Sequence, residues 1–295
     1  MITIEDIIKN EDLFKDKYTT HELLDGGYVN KAYKVTCDNK TYCIRINNIK
    51  HSQFFQLDTT KEAQACQQAS LFSIAPTAHN LNNSTEYLIT DFYTGRTLSN
   101  DDSHNPEIVK KYVNAIKTIH NNVKVNRTFS IYDLIDKYID GAKVCNVKLP
   151  DGLIKVLNQV DRIRMIRSDS KVLNNVFCHN DIWQNNILYN GDTICIIDWE
   201  FCGYGDGFFD FAHILNISNA TFDEEKFLLT TYFGYFDMEL WNTLQQLKYM
   251  GKVCDAAWFL FHAGITENET IKEKYLQSGS QCINNLIKRM VNENH

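Results

Sequence analysis

Apolar and polar positions change rhythm once along this chain. Over residues 19–48 they come in short runs. TTHELL gives way to Asp25-Gly26-Gly27, the run resumes through Ala32-Tyr33-Lys34-Val35, Asp38-Asn39-Lys40 marks a turn, and TYCIRIN follows. Short apolar runs punctuated by Gly, Asn and Asp predict strands joined by hairpins. Residues 59–71 take a helical pattern, with Thr59 or Thr60 as the cap and Glu62 in the first turn. Residues 85–92 read as another strand. Beyond Gly95 the period lengthens: after Pro106, Ile108, Tyr112, Ala115, Ile116 and Ile119 recur at helical spacing over 107–121. Further helices are expected at 130–141, 151–167, 222–234, 238–248 and 249–264. Strand-like runs return only at 176–178, 187–189 and 193–197. The expected fold class is α+β: a strand-rich lobe over residues 1–92, a short linker near 92–96, and a mainly helical lobe over 93–295 with a small hairpin at its edge.

Composition narrows this picture without redirecting it. With 44% hydrophobic and 23% charged residues among 295, the chain has the balance of a globular protein, long enough for two lobes with their own cores. A net charge of -7 argues against a nucleic-acid partner, because an acidic surface repels phosphate backbones. The nine cysteines are scattered and odd in number, with no C-x-x-C pair, so free thiols in a reducing compartment are expected. The N-terminal residues mix acids and bases and carry no apolar signal core. A cytoplasmic protein with no membrane partner is the expectation.

The segment FCHNDIWQNNILYNGDTICIID, residues 177–198, carries the chemistry. It sets His179, Asp181 and Asn186 at the spacing H-x-D-x-x-x-x-N, then a short hairpin, then Asp198. Phosphoryl transfer needs a base or orienting group at the attacking hydroxyl and oxygen ligands for Mg²⁺. Asp181 fits the first role. Asn186 and Asp198 fit the second, as metal ligands. The turn YNGD, residues 189–192, is expected to be type I′, because Asn-Gly favours positive φ at both central positions. Folding there would bring Asn186 and Asp198 together. His179 is read as supporting the loop through hydrogen bonds.

Around this segment stand supporting candidates. Asp25-Gly26-Gly27-Tyr28-Val29-Asn30, ending at Asn30, is a candidate phosphate-covering loop in which Gly26 and Gly27 let the backbone approach the phosphates and backbone N–H groups contact them. Arg45 is a cation inside an apolar strand. It is expected to meet the nucleotide phosphates and an acid on the neighbouring helix, with Glu62 as the candidate and Glu22 and Asp25 also near in sequence. Asp206 and Asp210 either line an acidic pocket or, for Asp210, brace the loop. Trp183, Tyr204, Trp258 and Phe261 offer aromatic faces, which hold an ammonium group well beside a carboxylate.

Taken together, CHNDIWQNNILYNGDTICIIDWEFCGYGDGFFDFAHIL, LLDGGYVNKAYKV, YCIRIN, YLITDFYTGRTL, AIKTIHNN and VCDAAWFLFHAGI resemble the choline/ethanolamine kinases. These belong to the aminoglycoside-phosphotransferase-like group of the protein-kinase-like fold, and the form is nearest the bacterial LicA type. The resemblance implies ATP and Mg²⁺ as cofactors and transfer of the γ-phosphoryl to the hydroxyl of choline, a small cationic amino alcohol. Ethanolamine, thiamine or an aminoglycoside are alternative acceptors of the same fold. By motif position it implies Asp181 as base, Asn186 and Asp198 as metal ligands, Arg45 as phosphate cation, and Ile89–Phe92, with Thr90, Asp91 and Phe92, as the adenine-binding backbone. It puts Trp258 in the amine-binding wall. An acidic residue expected near Asn216 is absent, so Asp255 or Glu200 is the candidate compensating charge. A protein kinase is disfavoured, since Asp198 precedes Trp199-Glu200 rather than Phe-Gly and no A-P-E segment follows. An inactive nucleotide-binding scaffold is disfavoured by the presence of Asp181, Asn186 and Asp198 together.

Overall fold

The structure, a computed structural model, describes residues 2–25, 29–80 and 86–292. Two compact units divide it: Met1–Arg127 with Phe177–Gly203, and Thr128–Val176 with Tyr204–His295. These units follow packing.

The first unit begins with an unforeseen helix, α1 (Ile4–Asn10), whose Thr3 and Asp6 form a reciprocal capping box. Four antiparallel strands follow, β1 (Thr19–Leu23), β2 (Lys31–Cys37), β3 (Lys40–Ile46) and β4 (Tyr87–Asp91), lying in that order. Ile4, Ile7 and Phe14 pack with Val35, Tyr42, Ile44 and Ile89 into one buried cluster. Each such aliphatic side chain contributes about 1.5–3 kcal/mol, so α1 closes the apolar side of the sheet. Two helices connect β3 to β4. The short α2 (Ile49–Phe55) was not evident in the sequence. The second, α3 (Thr59–Ser70), is capped by Asp58 and not by Thr59 or Thr60, because the Asp58 carboxylate reaches the Lys61 N–H. Thr59 instead turns inward, where its hydroxyl accepts from Asn47 at 2.9 Å.

The chain continues through β5 (Arg96–Thr97) into α4 (Pro106–Asn122), with Pro106 at its first position and Asn105 as cap. Ile108, Tyr112, Ala115, Ile116 and Ile119 are all buried, the stripe their spacing foretold. Residues 177–198 supply β7 (Ile187–Tyr189) and β8 (Ile194–Ile196), which join β5 in a three-stranded sheet. A two-stranded ribbon, β6 (Asn174–Cys178) with β9 (Gly203–Asp206), carries the chain into and out of this segment.

The second unit is helical: α5 (Ile131–Val144), α6 (Leu153–Ser168), α7 (Phe209–Ile217), α8 (Phe222–Phe233), α9 (Met238–Ile265) and α10 (Glu269–Asn292). Residues 238–248 and 249–264, expected as two helices, form the single 28-residue α9. Gly251 inside it does not break the helix. It permits close approach of α7, since a Cβ there would lie 3.0 Å from Asn216 Nδ2, and that amide donates to the Lys248 carbonyl at 2.8 Å. Helices α7 and α10 were not foreseen from the sequence. Among the described residues no helix is long and apolar enough to cross a membrane. All nine cysteines are free thiols.

Candidate active site

The catalytic loop is built from β6 outward. After Cys178 the chain turns at His179, which is wholly buried. Its Nε2–H donates to the Ile197 carbonyl at 3.0 Å, and its Nδ1 accepts the Asp181 N–H at 3.3 Å. The imidazole thus joins the start of the loop to the residue before Asp198, with its ring edge against buried Trp199. Asn180, which sequence reasoning passed over, adopts φ +67°. Asn tolerates this left-handed region better than most residues. Its amide donates to the carbonyls of Phe201 and Gly203 at 3.0 and 3.2 Å, tying the loop to the turn beyond Asp198.

Asp181 and Asn186 meet directly. Asn186 Nδ2 donates to the Asp181 carboxylate at 2.8 Å and to its carbonyl at 3.0 Å. The Asn186 carbonyl in turn accepts from Ile197 N–H at 3.0 Å, so Asn186 sits beside Asp198 through the hairpin. The hairpin pairs Ile187 with Ile196 and Tyr189 with Ile194. Its turn is not type I′: Gly191 has φ +98°, whereas Asn190 is absent from the positive-φ residues. The Asn190 side chain instead accepts from the N–H groups of Asp192 and Thr193 at 3.0 and 2.8 Å, an Asx turn that replaces the backbone geometry.

Asp198 is itself in the left-handed region, φ +65°. Such a conformation costs of order 1 kcal/mol or more in a non-glycine residue and persists only where its surroundings fix it. Here Arg45 fixes it: Nη1 lies 2.6 Å from Asp198 Oδ1. The same guanidinium makes a two-pronged bond to Glu62 at 2.7 and 2.6 Å, and its Nε donates to Asn47 at 3.1 Å. Glu62 is therefore the acid that pairs with Arg45, while Glu22 is engaged by Lys34. Burial works against the Arg45 cation, but Glu62 and Asp198 outweigh it and hold the guanidinium above its ordinary range. The buried Glu200 accepts from Asn30 at 3.1 Å, and Asn30 also accepts from the Asn48 N–H at 2.9 Å. Burial first, then the Asp198 carboxylate, push the Glu200 carboxyl up. Gly26 and Gly27 lie outside the described residues.

The edge of β4 is more occupied than its sequence suggests. Asp91 N–H donates to the Thr77 carbonyl at 2.9 Å and Phe92 N–H to the Thr41 carbonyl at 3.0 Å. Thr90 is buried and paired with Cys43. The Ile89 carbonyl likewise accepts from the His79 N–H at 2.9 Å.

Among the remaining candidates, Trp183 is half-buried in the first unit. In the second unit Asp206 is not part of an acidic pocket: Arg167 grips it at 2.7 and 3.1 Å, with both side chains buried. Asp210 is wholly buried in the first turn of α7. Tyr204 is half-buried on β9, its carbonyl accepting from Phe129 at 2.9 Å. Asp255 lies 3.5 Å from His213. Trp258 stands in a cluster that sequence reasoning missed, with Phe259, His262 and Tyr275 around it. Phe261 packs instead against Tyr138 in the interior.

The donor set of the first unit suits a hard divalent cation. Asp198, Asp181 and Glu200 bring carboxylates and Asn186 an amide oxygen, and Mg²⁺ prefers oxygen ligands of this kind. Asn186 gives its N–H groups to Asp181, which leaves its oxygen as the free end of the amide. A bound cation would also draw the Asp198 and Glu200 carboxyls, which burial pushes up, back toward ionisation.

Comparisons with known proteins bear on the family and the fold. Residues 21–234 match the family model Choline/ethanolamine kinase. Protein LicA of Haemophilus influenzae is 25% identical over 174 residues, covering 56% of this chain and 63% of LicA, so the match spans under two thirds of that relative. A choline/ethanolamine kinase family protein from Mesorhizobium loti superposes with a TM-score of 0.75 at 19% identity, over 94% of this chain and 92% of that one. Choline kinase LicA from Streptococcus pneumoniae gives 0.73 at 16% identity, over 95% and 97%. At such identities the structural likeness speaks for the fold, which is the α+β protein-kinase-like one. The family model spans most of the chain, and the chain belongs to the choline/ethanolamine kinase family.

Proposed function

We propose that the protein is an ATP- and Mg²⁺-dependent kinase that transfers the γ-phosphoryl group to the hydroxyl of choline. One observation carries the phosphoryl-transfer reading: within one compact unit, Glu62, Arg45 and Asp198 form an unbroken ion-pair chain, and Asn186 joins the residue before Asp198 to Asp181. Asp181, oriented by the Asn186 amide, accepts or aligns the proton of the attacking hydroxyl. Arg45, held by Glu62, presents its cation to the nucleotide phosphates. Asn186 and Asp198 are the residues that would hold Mg²⁺, which neutralises charge on the transferring phosphate. His179 is structural support for this loop.

Residues 1–92 are read as the nucleotide-binding lobe and 93–295 as the catalytic and substrate lobe. Asn30 acts beside the phosphates through its bonds to Glu200 and to the cap of α2. In the segment Thr90, Asp91 and Phe92, the adenine contact falls to the Asp91 carbonyl and the next amide, Tyr93, because the Asp91 and Phe92 N–H groups are engaged. Trp258 supplies the aromatic wall for the ammonium, with Trp183 and Tyr204 as further aromatic candidates and Asp255 or Glu200 as the acid. Each brings a partner of its own, Glu200 accepting from Asn30 and Asp255 lying beside His213. The partner is a small cationic amino alcohol, the compartment the cytoplasm, and neither nucleic acid nor membrane is involved.

An ADP-release assay across choline, ethanolamine, thiamine and an aminoglycoside tests the reading. Preference for choline by kcat/KM is expected. Turnover of an aminoglycoside or thiamine alone would overturn the substrate assignment, and no ADP release with any acceptor despite ATP binding would overturn the kinase reading.

A further inference from the structure

The cluster on α9 contains a residue that the family reading leaves without a task. His262 lies one helical turn after Trp258, and its ring stacks on the indole with centroids 3.9 Å apart and planes 27° from parallel. Its Nδ1 is 2.9 Å from the Trp258 carbonyl. A carbonyl only accepts, so Nδ1 carries the proton and Nε2 the lone pair. That Nε2 is buried with no hydrogen-bond partner among the described residues. Phe261, Tyr138 and Tyr275 rings surround the imidazole at 5.2, 6.5 and 6.3 Å. The ring is thus pinned at one end by the backbone, stacked on its flat side and enclosed by aromatics. His262 is buried, whereas Trp258 above it is half-buried.

We propose that His262 is a positioning residue for the amine wall: its neutral imidazole sets the tilt of the Trp258 indole and backs one of its faces. The inference rests on the reading of Trp258 as part of the ammonium site. Phe259 and Tyr275 stand roughly perpendicular to the indole, at 80° and 76°, and steady its edges. A ring bound only at its edges can still rock; a stacked partner on one face removes that freedom, and cation–π attraction depends on how the ring face is presented. Neutrality matters for the same reason. A charged imidazole at stacking distance would itself be the cation on the indole and would oppose a second one. Burial favours the neutral form and lowers the proton affinity of His262.

Three variants, read by steady-state kinetics with choline and with ATP, test this. His262→Ala removes ring and hydrogen bond; the KM for choline is expected to rise about 2- to 12-fold, the worth of one aromatic pair, with kcat and the KM for ATP within about 2-fold. His262→Phe keeps a stacking ring without the N–H and is expected to restore most of the choline KM. His262→Asn keeps a donor for the Trp258 carbonyl without the ring and is expected to behave as the alanine variant, which also covers the case that alanine does not fold. Trp258→Ala reports on the underlying reading. A raised choline KM in Trp258→Ala with none in His262→Ala and His262→Asn would overturn the proposal while sparing that reading. Equal defects in the phenylalanine and alanine variants, or a matching rise in the KM for ATP, would also overturn it. No change in Trp258→Ala would remove the amine-wall assignment and the His262 proposal with it.

Discussion

The segment 177–203 and the face of α9 around Trp258 are organised by different rules. In the first, many polar side chains find partners within the segment itself: Asn186 bonds Asp181, His179 bonds Ile197, Asn180 bonds Phe201 and Gly203, and Asn190 closes its own turn. Arg45, with Glu62 behind it, and Asn30 reach this segment from outside. Around Trp258 the partners come from three helices, with Tyr138 on α5 and Tyr275 on α10. Reaction chemistry needs atoms held at fixed short separations, and a loop with local hydrogen bonds supplies that. Recognition of a small cation needs only a surface of the right shape and polarisability, and distant helices assemble that equally well.

The largest expected effect probes the first region. Asp181→Asn removes the base but leaves the Asn186–Asp198 neighbourhood in place, so kcat should fall roughly 10²–10⁴-fold with ATP affinity little changed. Near-normal turnover would sink the assignment. Next comes a contrast between the two units. Asp206→Asn leaves Arg167 as an uncompensated buried charge in the second unit, with about 3–5 kcal/mol lost from stability by denaturant melts. Glu62→Gln does the same to Arg45 in the first unit, softened because Asp198 still faces that guanidinium. The comparison predicts that Glu62→Gln raises the KM for ATP and that Asp206→Asn does not; equal effects on ATP would blur the division of labour.

Smaller effects sharpen the account of the loop itself. Asn180→Ala gives up two hydrogen bonds and forces alanine into a left-handed conformation, at a cost of about 1–3 kcal/mol. Since Asn180 ties the loop to the turn after Asp198, kcat should fall together with the melting temperature. Asn190→Ala removes only the Asx turn at an exposed hairpin tip, about 1 kcal/mol. Unchanged kinetics are expected there, and a large loss of activity would mean that the tip, not the strands, sets the Asn186–Asp198 approach.

The candidate site was legible in unequal parts. The spacing of His179, Asp181, Asn186 and Asp198 was readable because one loop and one hairpin hold them all. The Arg45–Glu62 pair was nearly so, because a charge inside an apolar strand demands an acid. Asn180 and Asn30 were not, since an asparagine in a loop looks the same whether it caps a turn or ties two segments. The burden on Asp206 was misjudged because its partner, Arg167, lies 39 positions away. In the fold, α4 declared itself by an amphipathic stripe, whereas α7 buries Asp210 and Asn216 along with its apolar residues, so polarity does not mark its exposed side.

By itself, the sequence determined the alternation of strands and helices, the order of the motifs, and the residue types able to transfer a phosphoryl group. Those properties are local: period, turn chemistry and the spacing of donors within a short segment. Only the tertiary structure decided which acid neutralises Arg45, which amides along β4 are already bonded, that α9 runs unbroken past Gly251, and that His262 lies beneath Trp258. Each of these depends on contacts between positions far apart in the chain, and no local pattern specifies which distant group will fill a given hydrogen bond or cover a given face.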